Sequence, residues 1–130
     1  MSPLTVRCIK AAFIYLALGI GLGASFAIDR AFGAGLRTLH AEFNLWGWST
    51  LLIYGMGYHM LPRFTGQPLR WPRLAEVQSW LAIGGVALTA LGWLGTRYGL
   101  PLAQVWLIGG ASVQLVAASA FGLQIVRLLR

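Results

Sequence analysis

Charged residues are scarce in this chain. Only 10% of the 130 residues are charged, three of them acidic, and 58% are hydrophobic. A soluble domain of this size carries roughly 25% charged residues. The shortage of charge excludes an ordinary soluble domain and indicates an integral membrane protein that is small enough for a single domain. We find no motif for hydrolysis, nucleotide binding or nucleic-acid recognition.

Cysteine is nearly absent as well. The single residue, Cys8, excludes an intrachain disulfide and leaves the redox compartment open. The formal net charge of +7 would suit a nucleic-acid partner if the basic residues formed a stripe, but they stand singly between apolar blocks. Single charges at the ends of apolar segments are typical of residues that orient a protein in a membrane.

Four apolar blocks are long enough to cross a bilayer, which takes about 20 predominantly apolar residues in a helix. Because the backbone must satisfy its own hydrogen bonds in lipid, we predict an all-α, integral membrane four-helix bundle in one domain, 1–130. Pro101 suits the first turn of the last helix, and the polar Ser112, Gln114 and Ser119 of that helix are predicted to hydrogen-bond to its neighbours. The predicted helices cover about 11–28, 39–61, 77–96 and 102–126.

The first block has one alternative interpretation. Arg7 and Lys10 precede it, and "SFA" fits the small-x-small pattern of a signal-peptide cleavage site. The uncharged run from Ala11 to Ile28 is longer than the roughly 7–15 apolar residues of a signal peptide. We therefore predict a membrane span and keep cleavage as the alternative.

Basic residues predict the orientation. With four spans, both termini and the middle loop share one side, which collects seven of the ten basic residues. Because basic loops stay in the cytoplasm, both termini are predicted to be cytoplasmic, in a bacterial-type inner membrane. The seven are Arg7, Lys10, Arg63, Arg70, Arg73, Arg127 and Arg130, and the three on the other side are Arg30, Arg37 and Arg97.

The second block, "LHAEFNLWGWSTLLIYGMGYHMLPRF", contains both histidines of the chain. Titratable side chains are costly in membrane helices, so their presence suggests a function. His40 and His59 lie about 28 Å apart along a helix at 1.5 Å per residue, so they cannot share a ligand within one chain. Each histidine is therefore a separate candidate.

His40 begins a helical face that continues through Asn44, Gly47 and Leu51. A glycine two turns from a histidine lets a flat ligand lie close to the backbone. Porphyrin is such a ligand, and neutral imidazole commonly binds its iron. Trp46 is a candidate for the wall of the same pocket. The alternative is an interfacial histidine that hydrogen-bonds to water or to a lipid headgroup.

The segment from "LHAEFNLWGW" through "GYHMLPRF" to "WPRLAEVQSWLAIGG" resembles the second and third helices of the haem–copper oxidase subunit I superfamily. The large subunit of nitric-oxide reductase is the nearest branch. "AFIYLALGIGLGASFAID" is similar to the family's first helix. The features that carry the resemblance are, in chain order, His40, Gly47, Gly55, Gly57, Tyr58, Pro62, "PRL" at 72–74, "SWL" at 79–81 and Gly84 with Gly85.

The resemblance implies that His40 is an axial ligand of a b-type haem near the outer membrane face. It also makes Arg37, one turn earlier, a candidate partner for a haem propionate. The alternative for Arg37 is a topogenic or headgroup-binding arginine. An iron-ligating imidazole usually donates its other N–H to an acceptor nearby, and Asn44 is better placed for this than Glu42, which faces another side of the helix.

Departures from the family limit what this chain is expected to do. The family has many more helices, takes the second haem ligand from a late helix and needs further histidines for its copper site, whereas this chain has two histidines in total. Complete oxidase or reductase activity is therefore not expected from this chain alone. What remains is a haem held by one histidine per subunit.

Two completions of such a site are open. A homodimer would supply His40 twice and give a bis-histidine haem for electron transfer with a respiratory-chain partner. Alternatively, one haem face stays open and binds a small gas such as NO or O2. We favour the dimer because Gly19–Gly23 and Ala118–Gly122 have the small-residue spacing that lets helices approach closely, although such pairs also pack helices within one chain.

His59 supports a different function. "MGYHM" places Met56 and Met60 beside it, and Cys8 is predicted to lie on the same cytoplasmic side. Thioether, imidazole and thiolate are soft ligands that select Cu(I), although methionines of this kind also serve for packing or face lipid. A copper-handling protein that helps to load an oxidase is therefore the alternative. A third hypothesis is an accessory or assembly subunit for a respiratory oxidase that holds no cofactor.

Overall fold

The computed structural model describes residues 1–129, and only the backbone of Ala34. Every regular element in this part of the chain is helical, as predicted. Arg130, which we counted among the cytoplasmic basic residues, lies outside the described residues. The elements are α1 (Pro3–Ile28), α2 (Arg30–Ala34), α3 (Arg37–Glu42), a π-helical segment (Phe43–Thr50), α4 (Leu51–Thr65), α5 (Pro72–Arg97) and α6 (Ala103–Leu128).

Three helices, α1, α5 and α6, are long and apolar enough to cross a membrane. Between the first two of them, α3, the π-helical segment and α4 follow one another without a break from Arg37 to Thr65. We call these three elements together the π-interrupted helix. It occupies the place of the second predicted span.

Local caps explain where the helices begin. The Ser2 hydroxyl accepts the Thr5 N–H at 3.2 Å, so α1 starts at Pro3, well before the predicted Ala11. The prediction missed α2, which begins because the Asp29 carboxylate accepts backbone N–H groups of the next turn at 2.9 and 3.1 Å. These caps extend helical structure into both polar ends of the first span.

Two residues with a left-handed backbone conformation lie at the boundaries of later helices. The π-interrupted helix runs through Pro62 and ends before Gly66, whose φ of 68° suits glycine after a helix. Leu102, with a φ of 68°, precedes α6. Pro101 therefore lies before the last helix and not in its first turn.

Small residues bring α1 and the π-interrupted helix together as an antiparallel pair. A Cβ placed on Gly19 would lie 2.6 Å from the amide nitrogen of Asn44, and one on Gly47 would lie 2.5 Å from Cβ of Tyr15. A side chain at Gly47 would force the two helices apart, and one at Gly19 would displace the Asn44 amide. Gly19 therefore packs helices within this chain, which is the alternative that the sequence left open for the pair Gly19–Gly23.

Helices α5 and α6 form the second antiparallel pair, with the most extensive contact in the described chain. A Cβ on Gly110 would lie 2.6 Å from the backbone nitrogen of Thr89, and one on Gly92 would lie 2.7 Å from that of Leu107. Backbone approaches backbone here, so the pair is close-packed along its length.

Polar contacts mark the two ends of the bundle. Arg7 in α1 donates to Ser79 at 2.7 Å and lies 3.4 Å from the carboxylate of Glu76, so the starts of α1 and α5 are neighbours. At the opposite end, the Arg97 side chain lies against Gly35, just before α3. His40 lies toward this second end.

Candidate functional site

The His40 ring lies against three residues of α1. Its Nδ1 is 2.8 Å from the carbonyl oxygen of Gly19. A Cβ on Gly23 would lie 3.0 Å from Cε1 of the ring, and Phe26 meets the ring edge-on with 5.5 Å between centroids. The ring is partly buried and its orientation is set by α1.

The contact with Gly19 defines the tautomer of His40. A carbonyl oxygen only accepts, so Nδ1 carries a proton, and in the neutral imidazole the lone pair is then on Nε2. The nearest donor to Nε2 is the Asn44 amide nitrogen at 3.5 Å, a separation that is long for a hydrogen bond. The imidazole therefore has one nitrogen held in place and one with its lone pair available.

Asn44 does not have the role that the sequence suggested for it. Its amide donates to the carbonyl oxygen of His40 at 2.8 Å and lies 3.4 Å from Nδ1. The acceptor for the imidazole N–H is the carbonyl of Gly19 in another helix. The run "GIGLG" in α1 was the available signal, because glycines leave carbonyl groups open to a neighbouring side chain.

The helix changes to π geometry directly after α3. Within this segment the Ser49 hydroxyl donates to the carbonyl of Asn44 at 3.0 Å, and the Thr50 hydroxyl donates to that of Leu45 at 2.8 Å. These bonds reach five residues back and stabilise the wider turn. Segments of π-helix within α-helices are frequent at functional sites, and this one begins one turn from His40.

The predicted face of His40, Asn44, Gly47 and Leu51 is present, but α1 covers it. The ring of Tyr15 lies on Gly47, and Leu51 is fully buried in the core. The groove that we predicted for a porphyrin along Gly47 is therefore filled by this chain's own first helix.

Two other predicted residues lie apart from the His40 ring. Arg37 is exposed at the first position of α3. Trp46 lines a groove between the π-interrupted helix, α5 and α6, and His40 does not line that groove. The structure thus groups His40 with Asn44 and with α1, and separates it from Trp46.

Sequence reasoning missed the groove that contains Trp46. It has a volume of about 510 Å³ and includes Glu42, Thr89, Trp93 and Gln114. We call it the Glu42 groove. The Gln114 amide donates to Glu42 at 2.5 Å and to Thr89 at 2.9 Å. The prediction that Gln114 hydrogen-bonds between helices is confirmed.

The same prediction is wrong for Ser112 and Ser119. Both are exposed on α6, away from the other helices of the chain. Helical periodicity shows which residues share a face, but the face that meets a neighbour depends on how the helices are rotated in the bundle. In α6, the face of Gln114 is the one that turns inward.

The candidate copper ligands His59, Met56 and Met60 all lie on α4. Met56 and Met60 are 38% and 37% exposed, and the Arg63 guanidinium lies 2.6 Å from Nδ1 of His59. A cationic group against the imidazole opposes binding of a metal cation there. Cys8 is fully buried against Gly55. Residues 1–129 contain no group of three His, Cys, Asp or Glu side chains placed to hold a metal ion.

Comparison with known proteins does not assign the chain to a family, so its function must be inferred from its residues. No family model matches the chain, and no curated protein or solved structure matches it. The resemblance to haem–copper oxidase subunit I therefore stays a prediction. The described chain has three helices that are long and apolar enough to cross a membrane, an oriented imidazole at His40 and a separate polar groove at Glu42.

Proposed function

We propose that this protein binds b-type haem in the membrane, with Nε2 of His40 as an axial iron ligand. The observation that carries the proposal is the 2.8 Å contact between Nδ1 and the Gly19 carbonyl. Iron-ligating imidazoles are oriented in this way, with one nitrogen bonded to a protein acceptor and the other directed to the metal. Haem supplies one-electron chemistry once it is bound.

The residues around His40 fit this role in part. Gly23 leaves room for the ring against α1, and the donor is a neutral imidazole, which suits haem iron. The Tyr15 ring occupies the surface of Gly47, so a porphyrin along this face within one chain does not fit. The proposal therefore places haem on the partly exposed side of His40, between two copies of the chain.

A homodimer completes the coordination. A second copy would contribute a second His40, and the two imidazoles would hold the haem iron for electron transfer with a respiratory-chain partner. Of the pair Ala118–Gly122, Gly122 is the candidate for the dimer contact, because a Cβ there would meet no atom within 4 Å, whereas Ala118 lines the Glu42 groove. Arg37, exposed one turn before His40, is the candidate partner for a propionate.

We further propose four spans with both termini in the cytoplasm of a bacterial-type inner membrane. Residues 37–65 form continuous helical structure, and about 20 helical residues suffice to cross the hydrocarbon core. The side with the termini then carries most of the basic residues. His40 lies near the outer face in this topology.

Absorption spectroscopy of the purified protein, expressed with ample haem supply, tests the proposal. The wild type should show a Soret band, with sharp α and β bands after reduction. His40→Ala should lose these bands because the iron loses its axial ligand. His59→Ala is the matched control and should keep them, since His59 lies in α4 against Arg63.

Each other outcome selects a different function. A reduced spectrum that shifts with carbon monoxide would mean an open iron position and a gas-binding site. A colourless protein with bound copper in elemental analysis would support the copper-handling alternative. A colourless protein without metal would support an accessory subunit. Pigment retained in His40→Ala would contradict the assignment of the ligand.

A further inference from the structure

The Glu42 groove places a carboxylate among the helices of the proposed membrane bundle. Glu42 lies two residues after His40 in α3, and its carboxylate accepts from Gln114 of α6. Ionisable side chains within a membrane bundle are costly and face the interior or a cavity, and Glu42 lines the groove.

In the hydrogen-bond network around Glu42, the donors are the Gln114 amide and the Thr89 hydroxyl. The Thr89 hydroxyl donates to the carbonyl of Gly85 at 2.8 Å. The Gln114 amide nitrogen donates to both Thr89 and Glu42. The Gln114 and Thr89 donors of this network are thus engaged, and Glu42 is its terminal acceptor. A molecule that pairs with Glu42 must bring its own donor or positive charge, while the Nε1–H of Trp93 in the groove lining is a buried donor without a partner.

Among residues 1–129, no cation forms an ion pair with Glu42, and the one ion pair joins Arg7 and Glu76 at the opposite end of the bundle. In the same part of the chain, no Lys, Arg or His lines the groove. An unpaired carboxylate in an apolar surrounding is unfavourable, and a cationic ligand beside it would supply the missing counter-charge.

The walls of the groove suit the same kind of ligand. Trp46 and Trp93 line it, and indole rings attract cations through their π faces. The remaining lining includes Leu107, Ile108 and Leu115, which offer contact to apolar substituents. Carboxylate, indoles and aliphatic groups together recognise a cation that carries hydrophobic groups.

We propose that the Glu42 groove binds an amphipathic organic cation, with the Glu42 carboxylate as its counter-charge. The volume of about 510 Å³ accommodates a small molecule of this class. Haem plays no part in this proposal, because His40 does not line the groove. The two functions can therefore fail separately.

Isothermal titration calorimetry with tetraphenylphosphonium, on the full-length protein in detergent, tests the proposal. Wild type should bind the cation saturably, and Glu42→Gln should weaken binding at least tenfold, since the amide has no charge. Glu76→Gln is the matched control and should bind like wild type. His40→Ala should also bind like wild type, even if it has lost haem.

Further measurements separate specific binding from partition into the micelle. Triphenylphosphine oxide, a neutral molecule of similar shape, should not compete. Trp46→Leu, at a side chain that is 38% exposed in the groove, should weaken binding several-fold. The proposal is overturned if Glu42→Gln, or Trp46→Leu should the first variant not fold, binds as wild type does, or if the neutral analogue competes equally.

Discussion

The buried polar side chains of this bundle differ in whether they have a hydrogen-bond partner, and this decides their expected effect on stability. Gln78 is fully buried, and neither its amide nitrogen nor its amide oxygen has a hydrogen-bond partner. Gln114 is almost as buried, and its amide nitrogen donates to two side chains. A buried polar group without a partner costs about 1–3 kcal/mol, so the two glutamines should contribute to stability with opposite signs.

Replacement of Gln78 by methionine, which has a similar length and no strong polar atom, should therefore stabilise the protein. We expect the free energy of unfolding to rise by about 1 kcal/mol, because the unpaired amide is removed. Gln114→Met should lower it by a similar amount, because Glu42 and Thr89 lose their donor. Denaturant unfolding in detergent, followed by circular dichroism, measures both. Destabilisation by Gln78→Met would contradict the prediction.

At the scale of helices, two close antiparallel pairs account for most of the packing. Glycines at the contacts allow backbone to approach backbone, whereas other glycines of the same helices face open space. In α5 and α6 the contrast is sharp, because Gly110 touches Thr89 and Gly84 has nothing within 4 Å of its missing Cβ. Glycine in a membrane helix is thus a packing residue only at some positions.

The contrast predicts different effects of the same substitution. Gly110→Ala should lower the free energy of unfolding by about 1–3 kcal/mol, because the new methyl group collides with the backbone of Thr89. Gly84→Ala should be neutral or slightly stabilising, because alanine favours the helix and the site is open. Equal effects of the two variants in thermal unfolding would rule out this packing.

At the scale of the whole molecule, much of the apolar surface makes no contact within one chain. Many large apolar side chains are exposed outside the bundle, as expected for a surface that faces lipid or another copy. Gly122 in α6 belongs to this outer surface, with open space where its Cβ would be. A larger residue there leaves the single chain intact and blocks any partner that packs on it.

Gly122→Leu therefore tests the proposed dimer. The variant should shift the protein from dimer to monomer in light scattering of the detergent complex, and it should lose six-coordinate haem at the same time. Gly21→Leu, at an equally open position in α1, is the matched control and should remain dimeric. A dimer that is unchanged by Gly122→Leu would place the contact elsewhere.

Apolar runs alone were enough to predict helices, because a backbone in lipid must satisfy its own hydrogen bonds and the helix does so within one segment. Periodicity within one helix also placed His40, Asn44 and Gly47 on a common face. Both properties depend only on residues that are near one another in sequence.

What lies across that face was decided by tertiary structure. The Tyr15 ring covers Gly47, the Gly19 carbonyl accepts the hydrogen bond from His40, and Glu42 accepts one from Gln114 in the last helix. Each of these contacts joins residues of different helices, so it depends on which helices pair and how each is rotated about its axis. No repeat within a single helix carries that information, which is why the Glu42 groove became visible only in the folded chain.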